Sequence, residues 1–294
     1  MTTAFVLSGG GSLGAVQVGM IEALSERDVR PDLLIGTSAG AINAAYIAGL
    51  GTGHEALEKL ATIWRSLRRK DVFPFEPLRQ FFGVTGNRTS LCSNRFLRGL
   101  IETSLPYRDF EDAVIPLHIV TTNLLSGQEV LLSSGDVTSA LLASAAFPGV
   151  LPSVEREGLT LVDGGVADNA ALSQAVALGA DEVYILPAGF ACALQRPPAT
   201  PLAVAMQALT FLIEQRLVME VTEFTGRARI KVLPPLCPLS VSSIDFSHAD
   251  ELIERAVETT GRWLDSNGPS LPAPERFFSL HHHRPDSSAL EERA

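Results

Sequence analysis

Five residues, Gly36-Thr37-Ser38-Ala39-Gly40, constrain this chain more tightly than any other stretch. They follow a short apolar run, Leu33-Leu34-Ile35, and lead into the small residues Ala41-Ile42-Asn43-Ala44-Ala45. That order reads as strand, sharp turn and helix, with a serine at the apex. Such a turn exposes its central side chain at a helix N-terminus, and flanking glycines keep the tight packing free of Cβ clashes. The arrangement suits a nucleophile if the chain also supplies a base and an oxyanion hole. The ordinary alternative is a capping serine on a tight bend.

The rest of the chain repeats the same rhythm. Residues 4–8 read as a buried strand, Gly9-Gly10-Gly11 as a turn and 12–27 as a helix. A second strand at 32–35 precedes the Ser38 turn, and a helix runs on to about Leu50. Helices are expected at 54–69, 94–102, 136–146, 171–178, 202–225 and 249–265. Strands are expected at 115–122, 128–132, 159–162, 182–187 and 229–233. This alternation predicts an α/β fold of three α/β/α layers around a mainly parallel central sheet. The helix near 202–225 is apolar nearly all round in its first half, which points first to core burial, with an acyl-chain tunnel or a dimer face as the alternatives. One domain is expected over 1–265, with 266–294, rich in Pro, Ser and His, as a flexible tail.

Bulk properties remove several classes. With 46% hydrophobic and 19% charged residues the chain can fill a sizeable core, and a net charge of −10 argues against a nucleic-acid partner. Cys92, Cys192 and Cys237 are odd in number and widely spaced, so they form neither a metal pattern nor a disulfide framework. A reducing, cytoplasmic location follows, since the N-terminus lacks the features of a signal peptide. Residues 33–50 raise the question of a membrane span, but Gly36, Thr37, Ser38 and Asn43 interrupt them.

Chemistry concentrates in three elements. Ser8-Gly9-Gly10-Gly11-Ser12-Leu13-Gly14 follows the first strand and formally contains Gly-x-Gly-x-x-Gly. A dinucleotide site would also need an acidic residue at the end of the second strand, where Gly36-Thr37-Ser38 stands instead. A glycine turn entering a helix still presents backbone N–H groups that suit an anion, including an acyl-transfer oxyanion. The Ser38 turn is the second element. For the base, His54, His118, His248 and the run His281-His282-His283 occupy unpromising positions. Asp163 ends a strand and precedes Gly164 and Gly165. It reads either as an ordinary Asp-Gly turn or as a base whose low intrinsic basicity burial would raise. Asp168 is a second carboxylate nearby.

Together these elements resemble the patatin-like phospholipase family, bacterial type. Gly9-Gly10-Gly11-Ser12-Leu13-Gly14 is similar to its oxyanion loop and Gly36-Thr37-Ser38-Ala39-Gly40 to its nucleophile elbow. Asp163-Gly164-Gly165 is similar to its catalytic Asp motif, and Ala143-Ser144-Ala145-Ala146-Phe147-Pro148 to the block preceding that motif. The resemblance covers about residues 4–190. It implies a Ser38–Asp163 dyad without histidine, with Gly9, Gly10 and Gly11 as oxyanion donors. Gly14, Gly36, Gly40, Gly164 and Gly165 would support the motifs, and Asn169 would orient them. The implied activity is hydrolysis of lipid acyl esters through an acyl-serine, with no cofactor and no metal. A carboxylesterase, a thioesterase or a non-catalytic lipid-binding module are the alternatives. Two positions depart from the family pattern: Leu13 replaces a basic residue, and Ala171 replaces a proline.

Residues 71–92 carry Phe73, Phe75, Phe81 and Phe82 just after Arg65, Arg68, Arg69 and Lys70. The cations read first as favourable charge at a helix C-terminus. The sharper expectation is transient membrane-surface contact through the Phe73–Phe82 loop, with phospholipid or another acyl ester as substrate.

Overall fold

The computed structural model describes residues 1–74, 76, 89–194, 196–199, 201–224 and 226–266. Phe75, Phe81, Phe82, the His281–His283 run and the tail beyond Ser266 lie outside the described residues. The structure is built on one sheet of eight strands: β1 (Thr3–Leu7), β2 (Leu33–Thr37), β3 (Leu117–Asn123), β4 (Glu129–Leu132), β5 (Val154–Arg156), β6 (Leu159–Asp163), β7 (Glu182–Leu186) and β8 (Arg229–Val232). Their order is β5-β6-β3-β2-β1-β7-β8, with β4 paired to β3. The pairs β3-β2, β2-β1, β1-β7 and β7-β8 are parallel, whereas β4, β5 and β6 form antiparallel pairs. The sheet is therefore mainly parallel, as the alternating pattern requires, with an antiparallel corner. The three-residue β5 was not anticipated, because its sequence, Val154-Glu155-Arg156, carries no apolar run.

Strand alternation divides the interior into two cores. Phe5 and Leu7 of β1, Leu34 of β2 and Ile119 of β3 face a large core against α1 (Ala15–Ser25), α2 (Ala39–Leu50), α3 (His54–Ser66) and, after the short α4 (Arg69–Val72), α5 (Arg95–Ser104) and α6 (Val137–Ser144). Ala4 and Val6, Leu33 and Ile35, and Val183 and Ile185 face a smaller core closed by α7 (Leu172–Ala177). The first core is completed by α9 (Ala249–Leu264), which packs along α1. Gly19 of α1 lies against the Ile253 carbonyl of α9, where a Cβ would approach to 2.3 Å.

The long helix α8 (Pro201–Phe224) corrects an expectation. Core burial does not extend over its described side chains: among these Val204, Phe211, Leu212 and Met219 are exposed, Leu212 by 69% and Met219 by 72%. These positions share one face at helical spacing. The opposite face carries Gln207 and Thr210 toward the protein's cavities. No helix among the described residues is long and apolar enough to cross a membrane.

Two of the four clustered cations are engaged at the end of α3. Arg65 pairs with Asp250 at 2.7 Å, and Arg68 donates to the Arg65 and Leu67 carbonyls at the end of α3. Phe73 is half-buried and packs 6.2 Å from Phe246, ring centre to ring centre, rather than facing solvent.

The turn from β2 into α2 depends on Gly40, where a Cβ would fall 2.3 Å from the Leu7 carbonyl oxygen and 2.5 Å from that of Ser8. Gly40→Ala should therefore lower stability by about 1–3 kcal/mol through overpacking against backbone that cannot retreat, read as a lower midpoint in urea unfolding.

Candidate active site

The register of β3 brings the site together. Thr37 at the end of β2 pairs with Val120, and Asp163 at the end of β6 pairs with Thr121. Ile119 pairs with both Gly36 and Leu132, and Thr121 with both Asp163 and Val130. β4 thus occupies one edge of β3, and β2 and β6 share the other. They run in opposite directions along it, so their carboxyl ends meet. Ser38 and Asp163, 125 residues apart in sequence, face each other at that junction, and Ser38 Oγ donates to Asp163 Oδ2 at 2.7 Å.

Ser38 has φ 53° and ψ −120°, a conformation that costs a non-glycine residue about 1–3 kcal/mol. Three hydrogen bonds hold it. Its N–H donates to Ser144 Oγ at 2.8 Å, and its carbonyl accepts from Ala41 and Ile42. Ser144 Oγ in turn donates to the Val120 carbonyl at 2.6 Å, which ties α6 to β3 beneath the nucleophile turn. The block containing Ser144 was legible in sequence, but its role as acceptor was not.

Asp163 is 6% exposed. Its Oδ1 accepts from Gly165 N–H at 2.9 Å and its carbonyl from Thr122 Oγ1 at 2.9 Å. Burial pushes its carboxyl up to about 6, against the lowering effect of the Ser38 and Gly165 hydrogen bonds. The group is ionised at neutral pH yet more basic than an ordinary aspartate. Asp168 serves a different purpose: its Oδ1 caps Ala170 N–H at 3.0 Å and Ala171 N–H at 2.7 Å, away from Ser38. Its buried Oδ2 and Glu220 Oε2 of α8 both lack partners. Burial and the adjacent Asp168 carboxylate hold Glu220 well above the usual range, so a proton on Glu220 can join the two orphan oxygens.

The glycine loop lies beside Ser38, with a Cβ on Gly9 reaching within 3.0 Å of Ser38 Cβ. Gly9 N–H donates to Asn169 Oδ1 at 2.8 Å, so that amide is engaged and Asn169 ties the Asp163 turn to the loop. The amides of Gly10 and Gly11 have no partner among the described residues. Gly11 takes φ 59° and lies where a Cβ would meet the Ser243 carbonyl at 2.3 Å. Gly14, Gly36 and Gly164 are crowded in the same way by Trp64, Ala41 and Val120. Under the loop runs a buried network that sequence reading missed. Gln17 Nε2 donates to the Ser8 and Leu186 carbonyls, and Asn43 Nδ2 to Gln17 Oε1 and the Gly14 carbonyl. Trp64 Nε1 completes it on Asn43 Oδ1 at 2.8 Å. Leu13 is buried in the core, so the departure from a basic residue leaves nothing at the cleft surface.

Ser38, Asp163 and the glycine loop open into a cavity of about 140 Å³. Its walls include Ile42 and Tyr46 of α2, Trp64 of α3, Leu97 of α5, Phe73 and Phe246. Ser38, Ile42 and Tyr46 stand four residues apart, giving about 12 Å of wall along α2 at the helical rise. No Arg, Lys or His lines this cavity among the described residues. His118 lies against Ser133 at 2.6 Å, and His248 between Asp245 and Glu251. His54 stands with Glu22 and Glu58, ligand atoms within 4.8 Å of one another, the one such grouping among the described residues.

The family model described as "Patatin-like phospholipase" matches residues 5–176. The chain belongs to the patatin-like phospholipase family. Among patatin-like relatives, the lysophospholipase nte1 of Aspergillus terreus is 30% identical over 191 residues, covering 63% of this chain and 12% of that protein. Lysophospholipase NTE1 of Mycosarcoma maydis is 28% identical over 196 residues, 64% of this chain and 10% of that protein. The chain thus spans about an eighth of the length of these relatives or less. The patatin-like fold is shared with VipD from Legionella pneumophila at a TM-score of 0.50 and 16% identity, over 95% of this chain and 67% of that one.

The Ser144 hydroxyl both accepts and donates in a buried position, so Ser144→Ala should cost about 1–3 kcal/mol for the stranded Ser38 N–H. Urea unfolding measures that loss, and slower labelling of Ser38 by a fluorophosphonate should accompany it.

Proposed function

We propose that this chain is a lipid acyl hydrolase of the phospholipase A or lysophospholipase kind, cleaving carboxylic esters through an acyl-serine intermediate. The observation that carries the reading is the 2.7 Å hydrogen bond from Ser38 to a buried Asp163 at the head of an apolar cavity. The relatives named as lysophospholipases support the substrate class.

An ester places its acyl chain in the apolar cavity and its carbonyl carbon before Ser38. Ser38 Oγ attacks as its proton passes to Asp163 Oδ2. The carbonyl oxygen becomes an oxyanion, and the amides of Gly10 and Gly11 receive it. Gly9 and Asn169 act indirectly, by fixing the loop that carries those amides. Collapse of the tetrahedral intermediate releases the alcohol, which takes the proton from Asp163. A water then gives a proton to Asp163 as it attacks the acyl-serine, and Asp163 passes that proton to Ser38 Oγ as the bond to the acyl carbon breaks and the fatty acid leaves. Neither metal nor cofactor takes part in this scheme. A carboxylesterase or thioesterase would use the same machinery. The apolar walls favour a long acyl chain over a small polar ester, and a substrate panel separates these readings.

Peripheral contact with lipid surfaces from the cytoplasm belongs to the same proposal. Phe73 itself is turned toward the cavity, and the exposed apolar face of α8 is the described surface best suited to such contact.

Ser38→Ala and Asp163→Asn should each lower kcat/KM for a nitrophenyl ester on the order of 10⁴-fold without loss of folding. Retained turnover by the Ser38 variant overturns the proposal. Because Asp163 must be ionised to accept the proton, and its carboxyl is pushed up to about 6, the wild-type rate should fall as pH drops through about 6. A pH–rate profile of kcat/KM with a single proton taken up on the acid limb is the expected result.

A further inference from the structure

A second cavity, also about 140 Å³, lies beside the first. Arg196, Gln207, Ser242 and Ser243 supply its polar wall, and Leu194 and Ile244 part of the rest. Ser243 lines both cavities, so the two adjoin there. That junction is fastened to the glycine loop: the Ser243 carbonyl accepts from Ser12 N–H at 2.8 Å, and the Ser242 carbonyl accepts from Ser12 Oγ at 3.0 Å. Helix α8 spans both spaces on one face, with Gln207 in the second cavity and Thr210, three residues on, in the first.

Charge separates the two cavities. Among the described residues the first is lined by no basic side chain, so a phosphate placed there would be desolvated without a cation to pair with. Arg196 is the one charged residue lining the second, and no carboxylate engages it among the described residues. A guanidinium presents paired N–H donors that match two phosphate oxygens. An ester with its carbonyl at Ser38 and its chain in the first cavity must direct its alcohol portion elsewhere. Beyond Ser243 lies a space of mixed lining, in which Gln207, Ser242, Ser243 and the exposed Arg196 stand among apolar side chains.

We propose that the second cavity receives the phosphate of a glycerophospholipid headgroup, bound by Arg196, and that this subsite makes the chain prefer phosphate-bearing acyl esters over neutral glycerides. The inference rests on the proposed ester hydrolysis at Ser38 but is tested apart from it. The Arg196→Ala variant is compared with wild type on a lysophosphatidylcholine, on a monoacylglycerol of the same chain length and on a nitrophenyl ester. The expected result is a KM for the lysophospholipid raised about 10- to 100-fold, the scale of a lost charge-assisted hydrogen bond. Its kcat should hold, and both neutral esters should be unaffected. Arg196→Lys should recover part of the loss. An unchanged lysophospholipid KM, or an equal loss on all three substrates, overturns the subsite. Binding of an ether-linked lysophosphatidylcholine, which has no ester to cleave, should weaken by the same factor in Arg196→Ala. That measurement keeps its meaning even if no ester is hydrolysed, in which case the Ser38 reading fails alone. Equal binding by both proteins overturns the subsite.

Discussion

One edge of β3 serves two strands, and the site follows from that arrangement. β2 pairs along Leu117–Val120 and β6 along Thr121–Asn123, from opposite directions, so their carboxyl ends abut between Val120 and Thr121. In a purely parallel sheet the carboxyl end of each strand faces a loop region, and a serine and an aspartate there would be set side by side at the strand spacing. Here the antiparallel approach of β6 aims Asp163 at the start of α2 and closes the gap to 2.7 Å. The antiparallel corner thus sets a carboxylate, rather than a histidine, against the serine.

That junction holds strain, and hydrogen bonds from several elements offset it. Ser38 occupies a backbone region that its side chain disfavours, and Ser144 Oγ fixes its amide while bonding back to Val120. Asn169 performs the matching task for the glycine loop through Gly9, and Asp168 holds the turn on which Asn169 sits. The Gln17–Asn43–Trp64 network then fastens the loop to α1, α2 and α3 from below. Each of these groups is buried, so each lost partner would strand a polar atom. The loop that carries the Gly10 and Gly11 amides is thereby held from several sides, which suits the oxyanion role proposed for them, since such donors act best when they need not reorganise.

Much of this was legible in the chain. Strand periodicity and glycine punctuation placed β1, β2, β7 and the helices between them, because those elements are locally consistent and buried on both sides. Ser38, Asp163 and the glycine loop could be picked out because tight turns demand unusual residues at fixed offsets. What could not be read depends on contacts distant in sequence. Nothing local marks Ser144 as the acceptor for Ser38 or separates Gly9, whose amide is used by Asn169, from Gly10 and Gly11. The apolar content of α8 suggested burial, since composition counts apolar residues without saying which neighbours exist to cover them. In the structure one face of that helix closes the cavities and the other, with Leu212 and Met219, is left uncovered.

The apolar character of the cleft does two things at once. It provides the environment an acyl chain needs, and it raises the basicity of Asp163 by excluding the water that would stabilise the carboxylate. The Ser38 and Gly165 hydrogen bonds act in the opposite direction and keep the group ionised at neutral pH. A more polar cleft would lower the basicity of Asp163 and weaken its pull on the serine proton. A cleft without those hydrogen bonds would push the carboxyl higher still. Under the proposed mechanism substrate preference and general-base strength are therefore linked, since the apolar cleft bears on both.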